Sequence, residues 1–206
     1  MRVLACVSAA AVALVLAGCG GSSESSDDTT PEVSLTSAPA IASWSNLNGV
    51  LVPLGKTDGP TSGIWEPLTG FSHTPQGAAL AAIGQSVQLS TAADQSWSKV
   101  LSVVAAGGEG RDAFAVNRSL ISSTGTVDPT VVPSIVGYAF ADYSDTAATV
   151  DIVQRFPDES LASTRTDVVW VGSDWKLALP TAEKAVGVTA LDELPQNMVD
   201  LEGTRK

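Results

Sequence analysis

Residues 69–89, TGFSHTPQGAALAAIGQSVQL, predict one buried helix with a well-marked start. Thr74 can accept a hydrogen bond at the N-cap, and Pro75 suits the first helical position, where no amide hydrogen is needed. Apolar residues recur three to four positions apart and share one face: Ala79, Leu80, Ile83 and Val87. We expect this face to be buried, so that Ile83→Asp prevents folding, whereas Gln85→Asp is mild.

Two further helices are predicted downstream. The residues from Thr91 to Asp94 resemble a capping box, and apolar residues follow at helical spacing: Trp97, Val100, Leu101 and Val104. A shorter third helix is expected over residues 112–121, with Phe114, Val116 or Asn117, and Ile121 on its apolar face.

The pattern changes from helical to alternating after Val131 and predicts four strands, over residues 135–142, 147–156, 164–171 and 174–179. The last two are joined by Gly172-Ser173, which suits a type II′ hairpin. Helices followed by antiparallel strands predict an α+β fold, with two to three N-terminal helices packed on a curved four-stranded antiparallel sheet. Upstream, residues 43–68 are expected to form an extended arm with one short strand. Trp44 and Trp65 are expected to pin this arm to the domain, the alternative being that they face a partner.

The N-terminus reads as an export signal. Arg2 precedes an apolar run over residues 3–16, and Leu16-Ala17-Gly18-Cys19 follows. This pattern resembles bacterial lipoprotein signal peptides, which implies that Cys19 is acylated, for example with palmitate, and becomes the new N-terminus. The apolar run is shorter than the roughly 20 residues that span a bilayer, which argues against a transmembrane anchor. We therefore expect an extracytoplasmic protein held on the cell membrane by lipid.

Composition divides the rest of the chain into a tether, a domain and a tail. Residues 19–43 are rich in Ser, Thr and acidic residues and are expected to be a disordered tether. Residues 44–181 form a single α+β domain, and residues 182–206 a tail with short helical turns. The whole chain has 22 acidic and 11 basic residues, for a net charge of −11, which disfavours nucleic-acid binding. Cys6 leaves with the signal and Cys19 carries the lipid, so no disulfide is expected.

No catalytic motif is recognised in the sequence, and a non-catalytic role is favoured. The chain has one histidine, His73, whose place before the helix cap favours a structural role over that of a catalytic base. A lone histidine also lacks the ligand count of a metal site, and no cofactor motif is present. Trp170 and Trp175 flank the last hairpin and read either as core residues or as a ligand platform. His73, Trp170 and Trp175 are the candidate contacts to a ligand or partner.

The domain resembles known families in two ways. Helices followed by a meander that ends in WVGSDWKLALP, residues 170–180, resemble the nuclear transport factor 2-like and cystatin-like folds, which implies a cone-like shape. Enzymes of the former group carry an acid, a base or a His-Asp pair in the cone, and the lone His73 departs from that pattern. Residues 70–78, GFSHTPQGA, with Val52-Pro53 and Gly59-Pro60, resemble an uncharacterised family of actinobacterial proteins associated with conjugative elements and prophages.

Three functions follow as hypotheses. The first is a membrane-anchored, non-catalytic adaptor or accessory component of an envelope system, related to conjugation or phage, with an envelope protein as partner. The second is a binder of a small molecule or peptide in the cone cavity, and the third a small hydrolase or isomerase using His73 with a nearby Asp. A filled core with an apolar exterior patch favours the first, and a wide cavity the second.

Overall fold

The computed structural model describes residues 33–128, 130–185 and 187–205, which belong to one compact unit. This part of the chain begins with an antiparallel hairpin of β1 (Ile41–Leu47) and β2 (Val50–Gly55). Asn48 and Gly49 connect the strands with φ angles of 54° and 104°. Positive angles at both positions define a type I′ turn, which Asn-Gly favours strongly. The expected arm with one strand is therefore wrong, and Asn48-Gly49 is the sequence signal that marks the hairpin.

Three helices follow: α1 (Pro75–Ser90), α2 (Trp97–Val104) and α3 (Glu109–Arg118). The predicted start of α1 is confirmed, because the Thr74 hydroxyl accepts a hydrogen bond from the Gly77 amide at 3.0 Å. The predicted capping box for α2 is wrong. The Thr91 hydroxyl instead donates to the carbonyl of Val87 at 2.8 Å and closes the last turn of α1.

The second sheet has six strands, all paired antiparallel: β3 (Ser134–Tyr143), β4 (Ala147–Arg155), β5 (Leu161–Val171), β6 (Asp174–Leu177), β7 (Thr189–Leu191) and β8 (Val199–Asp200). Their order is β6-β5-β4-β3-β8, and β7 pairs with β5 off this path. Short 3-10 helices lie at Ala182–Lys184 and Glu202–Thr204.

The predicted architecture, two to three N-terminal helices on a curved four-stranded cone-like sheet, is corrected by this topology. A two-stranded sheet precedes the helices, and the large sheet has six strands. The tail supplies the two additional strands: β7 pairs with Leu161–Ser163 of β5, and β8 pairs with Gly137 and Tyr138 of β3. Such short strands carry little local signal, because their stability comes from hydrogen bonds to strands that lie far away in sequence.

The core lies between α1 and the inner face of the six-stranded sheet. Ile83 and Trp175 are fully buried, and the hairpin adds the equally buried Val52. At the outer edge, Trp44 donates to the Thr204 hydroxyl at 3.0 Å, and the Arg205 guanidinium lies 4.6 Å from its ring centroid. The structure thus places Trp44 in contact with the C-terminal segment. No helix in the described ranges has the length and apolar character needed to cross a membrane.

Candidate functional site

Two carboxylates from distant parts of the chain hold the loop before α1. Asp174, at the start of β6, accepts hydrogen bonds from the backbone amides of Gly70 at 2.8 Å and Phe71 at 2.9 Å. Asp58, after β2, accepts from the hydroxyls of Ser72 at 2.7 Å and Thr74 at 2.8 Å. Hydrogen bonds to ionised acceptors are stronger than neutral ones, so the loop has a fixed path. Asp174 therefore links β6 to the entrance of α1.

The three aromatic residues expected to contact a ligand or partner come together beside this loop. The His73 ring stacks on the Trp170 ring, with centroids 4.0 Å apart and planes 9° apart. Trp175 meets His73 edge to face at 5.9 Å, and its Nε1 donates to the Ser72 carbonyl at 3.0 Å. Trp175 is buried, Trp170 half-buried and His73 exposed. Of the three, Trp175 belongs to the core, and the exposed surface of the cluster comes from His73 and Trp170.

The hydrogen bond of His73 defines its chemistry. Its Nε2 lies 2.5 Å from the backbone carbonyl oxygen of Asp145, in the β3–β4 turn, and donates its hydrogen there. A carbonyl orients the ring but lacks the negative charge with which a carboxylate stabilises a protonated imidazole. The contact thus clamps the β3–β4 turn to the entrance of α1. Within the described ranges, no group of three or more His, Cys, Asp or Glu side chains is arranged to hold a metal ion.

A row of aromatic rings continues from this cluster into the sheet. Tyr143 lies 6.3 Å from Trp175, and Phe140 connects Tyr143 to Tyr138. Burial, with a contribution from the charge of Asp145, raises the pKa of Tyr143. The pKa of Tyr138 is raised by its complete burial and by the charge of Asp58. Both phenols therefore stay neutral at physiological pH and belong to the packing of the sheet.

A second candidate surface lies at the end of α3. Of the predicted apolar face, Phe114 packs against the core, whereas Val116 and Ile121 are each 63% exposed, so that part of the prediction is wrong. Leu120, in the turn after the helix, is 78% exposed, and we call Val116, Leu120 and Ile121 the exposed α3 end. A cavity of about 380 Å³ adjoins it, lined by Phe114, Ile121, Leu179 and Pro180 among others. The sequence could not reveal this exposure, because an apolar periodicity looks the same whether the domain or a partner covers it.

Comparison with curated proteins gave no match, and comparison with solved structures also gave none. A family model described as "Domain of unknown function (DUF8175)" matches residues 8–199. The match covers most of the chain and includes the aromatic cluster, the exposed α3 end and the strands from β1 to β7. The chain therefore belongs to the family of the domain of unknown function DUF8175.

Proposed function

We propose that the protein is an extracytoplasmic lipoprotein, anchored by lipid on Cys19, whose domain acts as a non-catalytic adaptor for an envelope protein. The lipid attachment is argued from the sequence Leu16-Ala17-Gly18-Cys19, which lies outside the described residues. The resemblance of residues 44–181 to proteins of conjugative elements and prophages makes an envelope protein of such a system the first partner to test.

The exposed α3 end is the observation that carries this proposal. Val116 lies in the last turn of α3, and Leu120 and Ile121 follow in the turn after the helix, where the Leu120 amide donates to the Asn117 carbonyl at 3.1 Å. Single exposed apolar residues are common on protein surfaces, but three large ones within the short segment 116–121 are a concentration of apolar area that is typical of an interaction site.

Hydrogen bonds from Arg118 hold this surface in a fixed conformation. Its buried guanidinium donates to the carbonyls of Ile121 and Ala92, both at 3.0 Å, and to the carboxylate of Asp94 at 2.9 Å. Asp94 in turn accepts from the Ser122 hydroxyl and from the Ser123 amide. The turn that carries Leu120 and Ile121 is thereby fixed before any partner arrives, which lowers the entropy lost on binding.

The charge of the chain indicates what kind of partner fits. With a net charge of −11, the protein attracts a surface that carries excess Lys and Arg and repels an acidic one. We therefore propose a partner that presents apolar side chains surrounded by a basic rim. Apolar contact supplies affinity, and the complementary charge raises the association rate.

Binding of a partner at the exposed α3 end can be tested by cross-linking in intact cells. A photo-reactive amino acid at Val116 of the full-length chain should give a specific cross-link to one envelope protein, and Leu120→Asp should reduce its yield about tenfold or more. Leu51→Asp is the matched control, since Leu51 is also an exposed leucine but lies on β2. Equal yields from the two variants, or no cross-linked protein, would contradict the adaptor proposal.

The anchor is tested separately by mass spectrometry of the mature N-terminus. We expect Cys19→Ala to abolish acylation and to leave the precursor unprocessed, because the thiol of Cys19 is the proposed acceptor of the lipid. An unmodified N-terminus produced by cleavage downstream of Cys19 in the wild-type protein would count against the lipoprotein proposal.

A further inference from the structure

Trp65 is the most exposed large apolar side chain in the described part of the chain, at 88%, and the expectation that it pins an arm to the domain is wrong. It lies in a tight turn over residues 63–66, closed by a hydrogen bond from the Glu66 amide to the Gly63 carbonyl at 3.0 Å. Tryptophan has a large apolar area, so leaving its ring in water is unfavourable. The exposed indole of Trp65 is therefore a candidate contact for a ligand.

Two buried glutamines of α1 fix the chain next to Trp65. The Gln88 side chain accepts from the Leu68 amide at 2.8 Å and donates to the Glu66 carbonyl at 2.9 Å. Gln85 donates to the Leu68 carbonyl at 3.1 Å. Because the backbone on the C-terminal side of the turn is bonded to a buried helix, the indole is displayed from a rigid base. A ligand that stacks on it then binds without first ordering the protein.

Trp65 forms one wall of a groove of about 260 Å³, which we call the Trp65 groove. The opposite walls are the β1–β2 turn and the region where α1 ends and α2 begins. The floor is apolar and includes Leu47, Ala92 and Val100. Primary amides and one ion pair form the rim: Asn46, Asn48, Gln95, Glu66 and Lys99.

The rim retains unused donors and acceptors. The Asn46 Oδ1 accepts from the Gly49 amide at 2.8 Å, which leaves the Asn46 NH₂ group for a ligand. The Asn48 Nδ2 donates to the Thr91 carbonyl and hydroxyl, both at 3.1 Å, which leaves the Asn48 Oδ1. Glu66 and Lys99 pair at 2.6 Å, so the two charged groups of the rim neutralise each other. The groove thus offers an exposed aromatic face, neutral amide groups and no net charge from its lining.

We propose that the Trp65 groove binds a neutral saccharide. One face of a pyranose ring presents slightly positive C–H groups, which pack on the negative face of an indole, and its edges carry hydroxyls that both donate and accept hydrogen bonds. Amide side chains supply the matching acceptors and donors. The net charge of −11 disfavours acidic polysaccharides, and the pairing of Lys99 with Glu66 removes the cation that an anionic sugar would require.

The test uses the full-length protein, purified in a detergent without a sugar headgroup. An array of neutral and acidic glycans identifies candidates, and titration with neutral hexasaccharides of glucose, mannose or N-acetylglucosamine follows by NMR of the indole N–H signals. We expect one neutral class to shift the Trp65 signal. Trp65→Ala should weaken its binding about tenfold or more, and Trp65→Phe should weaken it less, because a smaller aromatic face remains.

Leu120→Ala is the control, since it removes an exposed apolar side chain from the exposed α3 end and should leave saccharide binding unchanged. Thermal melts should coincide for wild type and Trp65→Ala, because the exposed indole contributes little to the core. The proposal is overturned if no neutral glycan binds or if binding survives Trp65→Ala. It is equally overturned if the groove takes a peptide or an acidic glycan in a Trp65-dependent manner. These outcomes are independent of the cross-linking result at Val116.

Discussion

The imidazole of His73 lies flat against the indole of Trp170, with ring centroids 4.0 Å apart. The stack joins the loop before α1 to the end of β5, and the hydrogen bond from His73 to the Asp145 carbonyl joins both to the β3–β4 turn. One exposed side chain therefore connects three segments that lie far apart in sequence. These contacts favour a structural role for His73.

We expect His73→Asn to lower stability modestly and to preserve function in the cell. Loss of an exposed aromatic stack removes about 0.5–1.5 kcal/mol, which corresponds to a fall of about 1–6 °C in Tm for a domain of this size. His73→Phe keeps the stack and should lose less. Thermal melts measure both variants, and the yield of the cross-link at Val116 measures the proposed adaptor function. A His73→Asn variant that stays folded at the growth temperature yet loses that cross-link would contradict the structural role assigned to His73.

Gln85 gives the strongest stability prediction, and it reverses the expectation from sequence that Gln85→Asp is mild. Gln85 is fully buried, and its Nε2 donates to the carbonyls of Leu68 and Trp175 at 3.1 and 2.9 Å. An aspartate would place a charge among acceptors and leave both carbonyls unpaired, which we expect to cost about 3 kcal/mol or more. Denaturant unfolding decides this, with the exposed Gln95→Asp as control. Equal midpoints for the two variants would refute the role assigned to Gln85.

Ile83 carries the companion prediction, which the burial of its side chain supports. Ile83 is fully buried, so Ile83→Asp should leave an unpaired charge inside the domain and prevent folding. Circular dichroism of Ile83→Asp and Ile83→Val separates the effect of charge from the effect of volume. We expect the valine variant to fold and to lose only about 0.5–1.5 kcal/mol.

Asp174 should be more important to stability than its place at a hairpin suggests. Besides the amides of Gly70 and Phe71, its carboxylate accepts from the Trp175 amide at 3.0 Å. Asp174→Ala leaves these donors unpaired and should cost about 2 kcal/mol, whereas Asp174→Asn retains one acceptor oxygen and should cost less. Asp142→Ala, at an exposed position on β3, serves as the control in the same unfolding experiment. A loss no greater than that of Asp142→Ala would show that the Asp174 contacts contribute little.

Asp94 predicts how stability changes in acid. Hydrogen bonds from the Ser122 side chain and the Ser123 amide, together with Arg118, lower the pKa of Asp94 from 3.8 to about 2. A carboxyl with a lower pKa in the folded state stabilises the fold above its unfolded pKa and loses that contribution as the pH falls through the folded pKa. We expect wild type to lose stability more steeply than Asp94→Asn between about pH 4 and pH 2. Urea unfolding measures the free energy of unfolding of both proteins at each pH. If the two curves of this free energy against pH were parallel, the low pKa assigned to Asp94 would be contradicted.

Local chemistry made several parts of the fold predictable. The start of α1 depends on Thr74 and Pro75, whose effects act within one helical turn. The β5–β6 link was likewise predicted and is confirmed: Val171 pairs with Asp174 across Gly172-Ser173, and Gly172 has a φ of 69°. The β1–β2 hairpin depends on an equally local signal, Asn48-Gly49, so the predicted extended arm was wrong at a position where adjacent residues favour a tight turn. Each of these features involves residues that are neighbours in sequence.

The sequence by itself thus determined where α1 begins and where the chain turns at Gly172-Ser173, because caps and turns depend on a few adjacent residues. Tertiary structure alone decided that Gln85 is buried, that Trp65 is exposed and that Leu120 faces solvent. It also decided that the tail adds strands to β3 and β5. Burial depends on which distant surfaces meet, and a side chain carries no record of its eventual neighbour. The exposed α3 end and the Trp65 groove therefore could not be predicted from the sequence.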